Sequence, residues 1–278
     1  MVISGRTLLI AHLGWPTDAF KAPMIYNPWF EKAGIDAVVV PMGVKPGDYQ
    51  AVLAALARLT NLRGALVTMP HKVTTMSLVA EASPAARIAG SANALLLRED
   101  GRWYADQFDG IGFVRGVERK GFRVAGRRAI VSGAGGVGSA IAASLASAGV
   151  AELMLFDREP AAAERLRARL LDHWPALAVR AGSADPAGHD LVVNATPLGM
   201  SEGDPLPFDI DRIAPSSFVG DVVMRAETTP LLAAAAAKGC RVQRGIDMLF
   251  EMIPAYLELF GFPAAHPDEL RAVATIRY

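Results

Sequence analysis

The chain has 278 residues and 29.4 kDa, with 52% hydrophobic and 20% charged residues, so a sizeable core is available and a disordered chain is excluded. Twenty-eight Lys and Arg balance 28 Asp and Glu, which leaves no electrostatic footprint for nucleic acid or an anionic membrane surface. The length suits two domains of about 100–150 residues each.

Taken in chain order, residues 7–11 form a short apolar run that reads as a strand. Residues 24–33 are helix-like and close at Gly34, the residue type that most readily takes a left-handed cap. Strands follow at 37–41 and 64–68, with an amphipathic helix over 48–59 between them. A second regime opens near Val124: strand 128–132, helix 136–148, strand 152–156 and helix 160–173. Beyond it come strands 190–194 and 218–223, an Ala-rich helix over 229–238, and an apolar helix over 248–260 interrupted by Pro254. Such alternation predicts an α/β fold with parallel sheets covered by helices. Mean hydropathy is +0.27, but the most apolar stretch, 129–156, is broken by glycines and serines before it reaches the roughly 20 continuous apolar residues of a membrane span. Cys240 has no second cysteine to pair with, no histidine spacing suits a metal, and the first residues carry Arg6 with no cleavage pattern. A soluble, cytoplasmic protein without metal is therefore expected, monomeric or homodimeric.

The most specific local motif is Gly133-Ala134-Gly135-Gly136-Val137-Gly138, between an apolar strand and an Ala-rich helix. Gly133 permits a tight turn, Gly135 lets backbone N–H groups approach a pyrophosphate, and Gly138 lets helix and strand pack closely. The next strand ends in Asp157, at about the ~20-residue offset where a carboxylate bonds the ribose 2′-hydroxyl. Asp157 and Glu159 both repel a 2′-phosphate, and Arg158 between them is outnumbered, so NAD is the expected cofactor, with NADP as the alternative.

Three segments of the first half, Leu66-Val67-Thr68-Met69-Pro70-His71-Lys72, Ala89-Gly90-Ser91-Ala92-Asn93-Ala94 and Asp109-Gly110-Ile111-Gly112-Phe113, resemble the signature blocks of the shikimate/quinate dehydrogenase family. The resemblance runs on through the glycine loop, Asn194-Ala195-Thr196-Pro197-Leu198-Gly199-Met200, Thr229-Pro230-Leu231-Leu232, Gly245 and Met248-Leu249. It implies a substrate domain over 1–113, completed by helices from 246–278 that return to it, and a Rossmann-type dinucleotide domain over 114–245. It also implies hydride transfer between a nicotinamide cofactor and a ring hydroxyl of a small cyclic substrate. Matched block by block, Lys72 is the catalytic lysine and Asp109 its partner; Thr68 and Asn93 contact substrate; Asn194, Thr196, Val223, Gly245 and Met248 lie at the cofactor with the glycine loop. A lysine in a partly dry setting, its pKa lowered by desolvation and raised by a carboxylate, can trade a proton near neutral pH.

The chain departs from the family where substrate is read. The family's N-terminal loop carries serines that bond a carboxylate; here it reads Gly14-Trp15-Pro16-Thr17-Asp18-Ala19-Phe20-Lys21-Ala22-Pro23, and Asp18 and Phe20 are matched to the first two serines. The family's later glutamine falls on Met252, Gln107-Phe108 precede Asp109 in place of Asn-Thr, and Met224-Arg225 stand where a tyrosine is usual. A more apolar pocket without the carboxylate clamp is expected, with Lys21 or Arg225 as replacement cations if a carboxylate is still bound. The leading expectation is a dehydrogenase of altered substrate choice; the alternatives are a dinucleotide-binding sensor with reduced catalysis, or a folate or amino-acid dehydrogenase on the same plan. His12, His71, His173, His189 and His266 are read as packing or surface residues.

Overall fold

A computed structural model describes residues 2–278, which divide into two compact units: residues up to Phe108 together with Met252–Arg277, and Asp109–Glu251 with Tyr278.

The first unit is built from β1 (Leu8–Gly14), α1 (Pro23–Ala33), β2 (Ala37–Gly43), α2 (Tyr49–Leu56), β3 (Leu62–Val67), α3 (Lys72–Thr75), β4 (Glu81–Ala82), α4 (Pro84–Ala89), β5 (Ala94–Leu97) and β6 (Trp103–Asp106). Its six-stranded sheet has the order β2-β1-β3-β5-β6-β4. β1 runs parallel to β2 and β3, whereas β5 is antiparallel to both β3 and β6. The sheet is therefore mixed, not all-parallel as the alternation of elements suggested. Four-residue strands joined by a hairpin at Asp100-Gly101, where Gly101 takes φ +77°, produce the reversal. Side chains alternate along β1: Ala11 and Leu13 pack with Tyr49, Leu53 and Leu56 of α2. Ile10 pairs with Gly64 on the opposite face, and the period of two places His12 and Gly14 on that face as well. There α1 buries Ile25, Tyr26, Trp29 and Phe30.

The second unit holds α5 (Asp109–Arg119), β7 (Arg128–Ser132), α6 (Gly136–Ser147), β8 (Glu152–Phe156), α7 (Pro160–His173), β9 (Ala178–Ala181), β10 (Leu191–Asn194), β11 (Phe218–Asp221), α8 (Pro230–Ala237) and β12 (Arg241–Gln243). Its six strands are all parallel in the order β12-β11-β10-β7-β8-β9, the doubly wound arrangement of dinucleotide-binding folds. Helices cover both faces of such a sheet, so its strands are near-continuous apolar runs: Ile130, Val131, Val192 and Val193 are wholly buried. α9 (Gly245–Phe260) then leads into α10 (Pro267–Val273); its residues to Glu251 belong to the second unit and those from Met252 to the first. No helix among the described residues is long and apolar enough to cross a membrane.

Candidate functional site

In the first unit the family blocks meet at the carboxyl ends of β1 and β3. Gly14 ends β1 in a place with no room for a side chain: a Cβ would strike the Thr68 methyl, and would lie 2.8 Å from both the Met69 carbonyl and the tip of the Phe20 ring. Backbone bonds knit the two loops, from Thr68 N–H to Leu13 O at 2.9 Å and from Trp15 N–H to Met69 O at 3.0 Å.

Lys72 opens α3 half-buried, and its footing is a buried network. His71 stacks on Tyr49, ring centroids 4.0 Å apart and 3° from parallel, with its Nε2 2.8 Å from the Val44 carbonyl. Burial lowers the His71 pKa, opposed by that backbone contact. The Thr75 hydroxyl closes the turn by donating to His71 O at 2.9 Å and lies 2.7 Å from the Tyr49 hydroxyl. The Lys72 carbonyl accepts from Ala92 N–H at 2.9 Å, and the Asn93 carbonyl accepts from Val67 N–H at 2.7 Å, so Lys72 and Asn93 are held in neighbouring segments. Asn93 is buried, and its Oδ1 accepts from Phe108 N–H at 2.9 Å. That contact fixes the amide orientation and turns Nδ2 as a donor toward Met252 Sδ, 3.9 Å away. Tyr256 donates to the Asn93 carbonyl at 2.9 Å. Thr68, Lys72, Asn93 and Met252 thus belong to one neighbourhood of the first unit.

The β1–α1 loop separates the two residues matched to the family serines. Phe20 is half-buried and lies on His12, ring centroids 4.0 Å apart at 27°, while Asp18 is exposed. Of these two residues, Phe20 packs into the fold and Asp18 faces solvent. Lys21 is corrected: it is 5% exposed and its Nζ donates to the Arg277 carbonyl at 2.5 Å, so it is anchored to the C-terminal tail rather than offered to a carboxylate. Arg225 is exposed in the second unit.

His12 is buried and packed on Phe20, as the sequence reading expects, with one polar atom left over. It is 7% exposed, its Nδ1 is buried with no hydrogen-bond partner, and its pKa falls to about 3, first through burial and then through the charge of Lys72. The only signal in the sequence was a polar residue at an inward position of an apolar strand.

In the second unit the glycine loop has the geometry its residue types imply. Gly133 takes φ +102°, and a Cβ on Gly138 would collide with the Gly133 carbonyl oxygen. Gly135 caps α6 with open space where a side chain would stand, leaving the helix N-terminus accessible to an anion. Asp157 turns toward this loop: Oδ2 accepts from Ala134 N–H at 2.6 Å and Oδ1 from Glu159 N–H at 2.9 Å. Arg158 is exposed beside it, and Gly136 and Val137 begin α6. The residues present fit a dinucleotide.

Asn194 is wholly buried, and every polar site of its side chain is engaged. Nδ2 donates to Leu198 O at 3.1 Å and Asp221 Oδ1 at 3.0 Å, while Oδ1 accepts from Thr196 N–H at 3.0 Å and the Thr196 hydroxyl at 2.6 Å. These bonds shape the loop after β10, which carries the Asn194 and Thr196 positions expected at the cofactor. Asp221 also accepts from Val223 N–H at 3.0 Å and the Thr229 hydroxyl at 2.6 Å; burial raises its pKa against the pull of these donors. Gly245 opens α9, where a Cβ would lie 2.6 Å from Val222 O, and Met248 is buried in its second turn. Asp109 is the first residue of α5 and is buried.

These two units, one with a dinucleotide loop and the other with a lysine, an asparagine and a threonine grouped at strand ends, define the class of NAD(P)-dependent oxidoreductases acting on CH–OH groups. A family model for the shikimate dehydrogenase substrate binding domain matches residues 13–95. A shikimate dehydrogenase (NADP(+)) of Acidiphilium cryptum is 38% identical over 277 residues, 99% of this chain and 98% of the relative. A shikimate 5-dehydrogenase from Listeria monocytogenes, solved with shikimate and NAD, has a TM-score of 0.85 at 27% identity, covering 98% of this chain and 97% of that one. A ligand-free 5-ketofructose reductase of Gluconobacter sp. strain CHM43 has a TM-score of 0.83 at 25% identity, covering 97% and 98%. The chain belongs to the shikimate dehydrogenase family.

Proposed function

We propose that the first unit binds a small hydroxylated substrate and the second binds the dinucleotide, and that the chain interconverts a ring hydroxyl and a ketone on a compound related to shikimate or quinate, with altered substrate choice. The observation that carries this reading is the grouping of Lys72, Thr68 and Asn93 at the ends of β1 and β3, beside a loop with Phe20 in place of a serine. A bound nicotinamide supplies the hydride acceptor or donor. Lys72 Nζ takes the hydroxyl proton as the alcohol is oxidised and returns it in the reverse direction. Asn93 Nδ2 orients a substrate hydroxyl by donating to it, and Asp109, the family aspartate, is the second acid–base group.

NAD is the proposed cofactor, although curated relatives are named for NADP(+). The Asp157 carboxylate, held against the loop by Ala134 N–H, is suited to accept from a ribose hydroxyl and repels a phosphate at the same place. The neighbour named for 5-ketofructose, a neutral sugar, supports the view that this fold serves substrates without a carboxylate.

The test is NADH and NADPH formation with shikimate, quinate and neutral cyclic alcohols, alongside dinucleotide binding by calorimetry. Turnover with at least one cyclic alcohol and higher kcat/KM with NAD are expected. Dinucleotide binding without turnover across the panel would favour a sensor. Asp157→Ser is expected to shift the NADP-to-NAD ratio of kcat/KM by about tenfold or more toward NADP, roughly 1.4 kcal/mol of discrimination.

A further inference from the structure

A buried histidine ordinarily satisfies its ring nitrogens within the protein, as His71 does against the Val44 carbonyl. His12 does not: its Nδ1 is buried without a partner, on the sheet face shared with Ile10 and Gly14, at the carboxyl end of a parallel strand. Ligands of open α/β sheets bind outside the carboxyl ends of the strands. Three further observations converge there. The Phe20 ring lies flat against the imidazole. Lys72 is near enough for its charge to oppose protonation of His12, so the ring stays neutral. The charged side chains of the β1–α1 loop are directed elsewhere, Lys21 onto the Arg277 carbonyl and Asp18 into solvent.

A neutral imidazole carries one N–H donor and one acceptor, and so matches a hydroxyl or a carbonyl. An anion beside these stacked rings would meet an apolar edge and one neutral N–H donor in place of the serine hydroxyls, with Lys72 reserved for the reacting hydroxyl. We propose that His12 and Phe20 together form the substrate-selecting subsite, reading an uncharged hydroxyl or carbonyl group where serines elsewhere in the family read a carboxylate. The assignment rests on the hydride-transfer reading above for its assay, and on geometry for its location.

The test compares shikimate with the primary alcohol in which its carboxylate is replaced by CH₂OH. The parent protein is expected to show at least tenfold higher kcat/KM for the alcohol than for shikimate; the reverse preference overturns the proposal. His12→Leu, which keeps the apolar bulk, is expected to raise KM for the alcohol about tenfold while leaving the dissociation constant for the dinucleotide unchanged. His12→Gln, which retains a donor and an acceptor, is expected to recover part of that loss. Equal KM in the parent and His12→Leu overturns the proposal. Phe20→Ser is expected to move the preference toward shikimate, and an unmoved ratio counts against the pairing of the two residues. Turnover of neither compound with either dinucleotide would remove the hydride-transfer reading instead. Calorimetry with the alcohol then decides the subsite: about tenfold weaker binding by His12→Leu upholds it, and equal or absent binding overturns it.

Discussion

Lys72 owes its position to residues that never meet a substrate. His71 and Thr75 on either side are buried and hydrogen-bonded, and the Lys72 carbonyl is tied to Ala92, so only its side chain is left to move. Removing the amine without touching this footing makes Lys72→Ala a clean probe. Turnover is expected to fall by roughly 10²–10⁴, the range of a positioned acid–base group, with the melting temperature little changed. His12 offers a stability readout with a definite sign. Its pKa is 6.5 in the unfolded chain and about 3 when folded, so between these values the unfolded state binds the extra proton. Stability from this site is fully present above the unfolded value and is lost as pH falls toward the folded one, by on the order of 5 kcal/mol in all. Chemical denaturation of the parent and His12→Leu from neutral pH downward is expected to show a shallower acid loss in the variant. The residues proposed for the chemistry stand out in the sequence because they occur in ordered blocks. The unpaired nitrogen of His12 does not, because a lone histidine in an apolar strand carries no spacing that marks its hydrogen-bond state.

Among the elements, β7, β8 and α7 were legible to the residue, since buried parallel strands are unbroken apolar runs and the helix opens at Pro160. The β5–β6 hairpin was not read, because each strand has only 4 residues and the Asp100-Gly101 turn lies in a charged stretch. The glycine turn between β7 and α6 is the element on which the proposed dinucleotide site depends. Gly133 needs its positive φ, and Gly138 must pass the Gly133 carbonyl without a Cβ. Gly138→Ala is expected to weaken dinucleotide binding at least about tenfold by calorimetry and to lower the melting temperature, because the obstructing atom is backbone and cannot rotate away. Asn194 was legible as part of its block, whereas the bonds by which its side chain shapes the loop leave no mark in the sequence.

At the scale of the whole molecule, the chain leaves its first unit after Phe108 and returns to it at Met252, and the return is fastened near α1. Thr275 N–H donates to the Met24 carbonyl at 2.9 Å, and Lys21 reaches the Arg277 carbonyl across 256 positions of sequence. Lys21→Met keeps the buried stem but leaves that carbonyl unpaired. A loss of about 1–3 kcal/mol in urea denaturation is expected, with dinucleotide affinity unchanged because the loop proposed to bind it lies in the other unit. The return of the tail was readable from family resemblance, whereas the tie made by Lys21 was not, since a loop lysine looks the same in sequence whether solvated or anchored.

The crowding at Gly14 bears on how such a protein can diversify. With the Thr68 methyl, the Met69 carbonyl and the Phe20 ring closing around that α-carbon, a mutagenesis library at position 14 should return almost only the parental amino acid. The same library at positions 12 and 20 alters the side chains of the proposed subsite directly, and new catalysts for unfamiliar sugars or cyclitols should be sought there first.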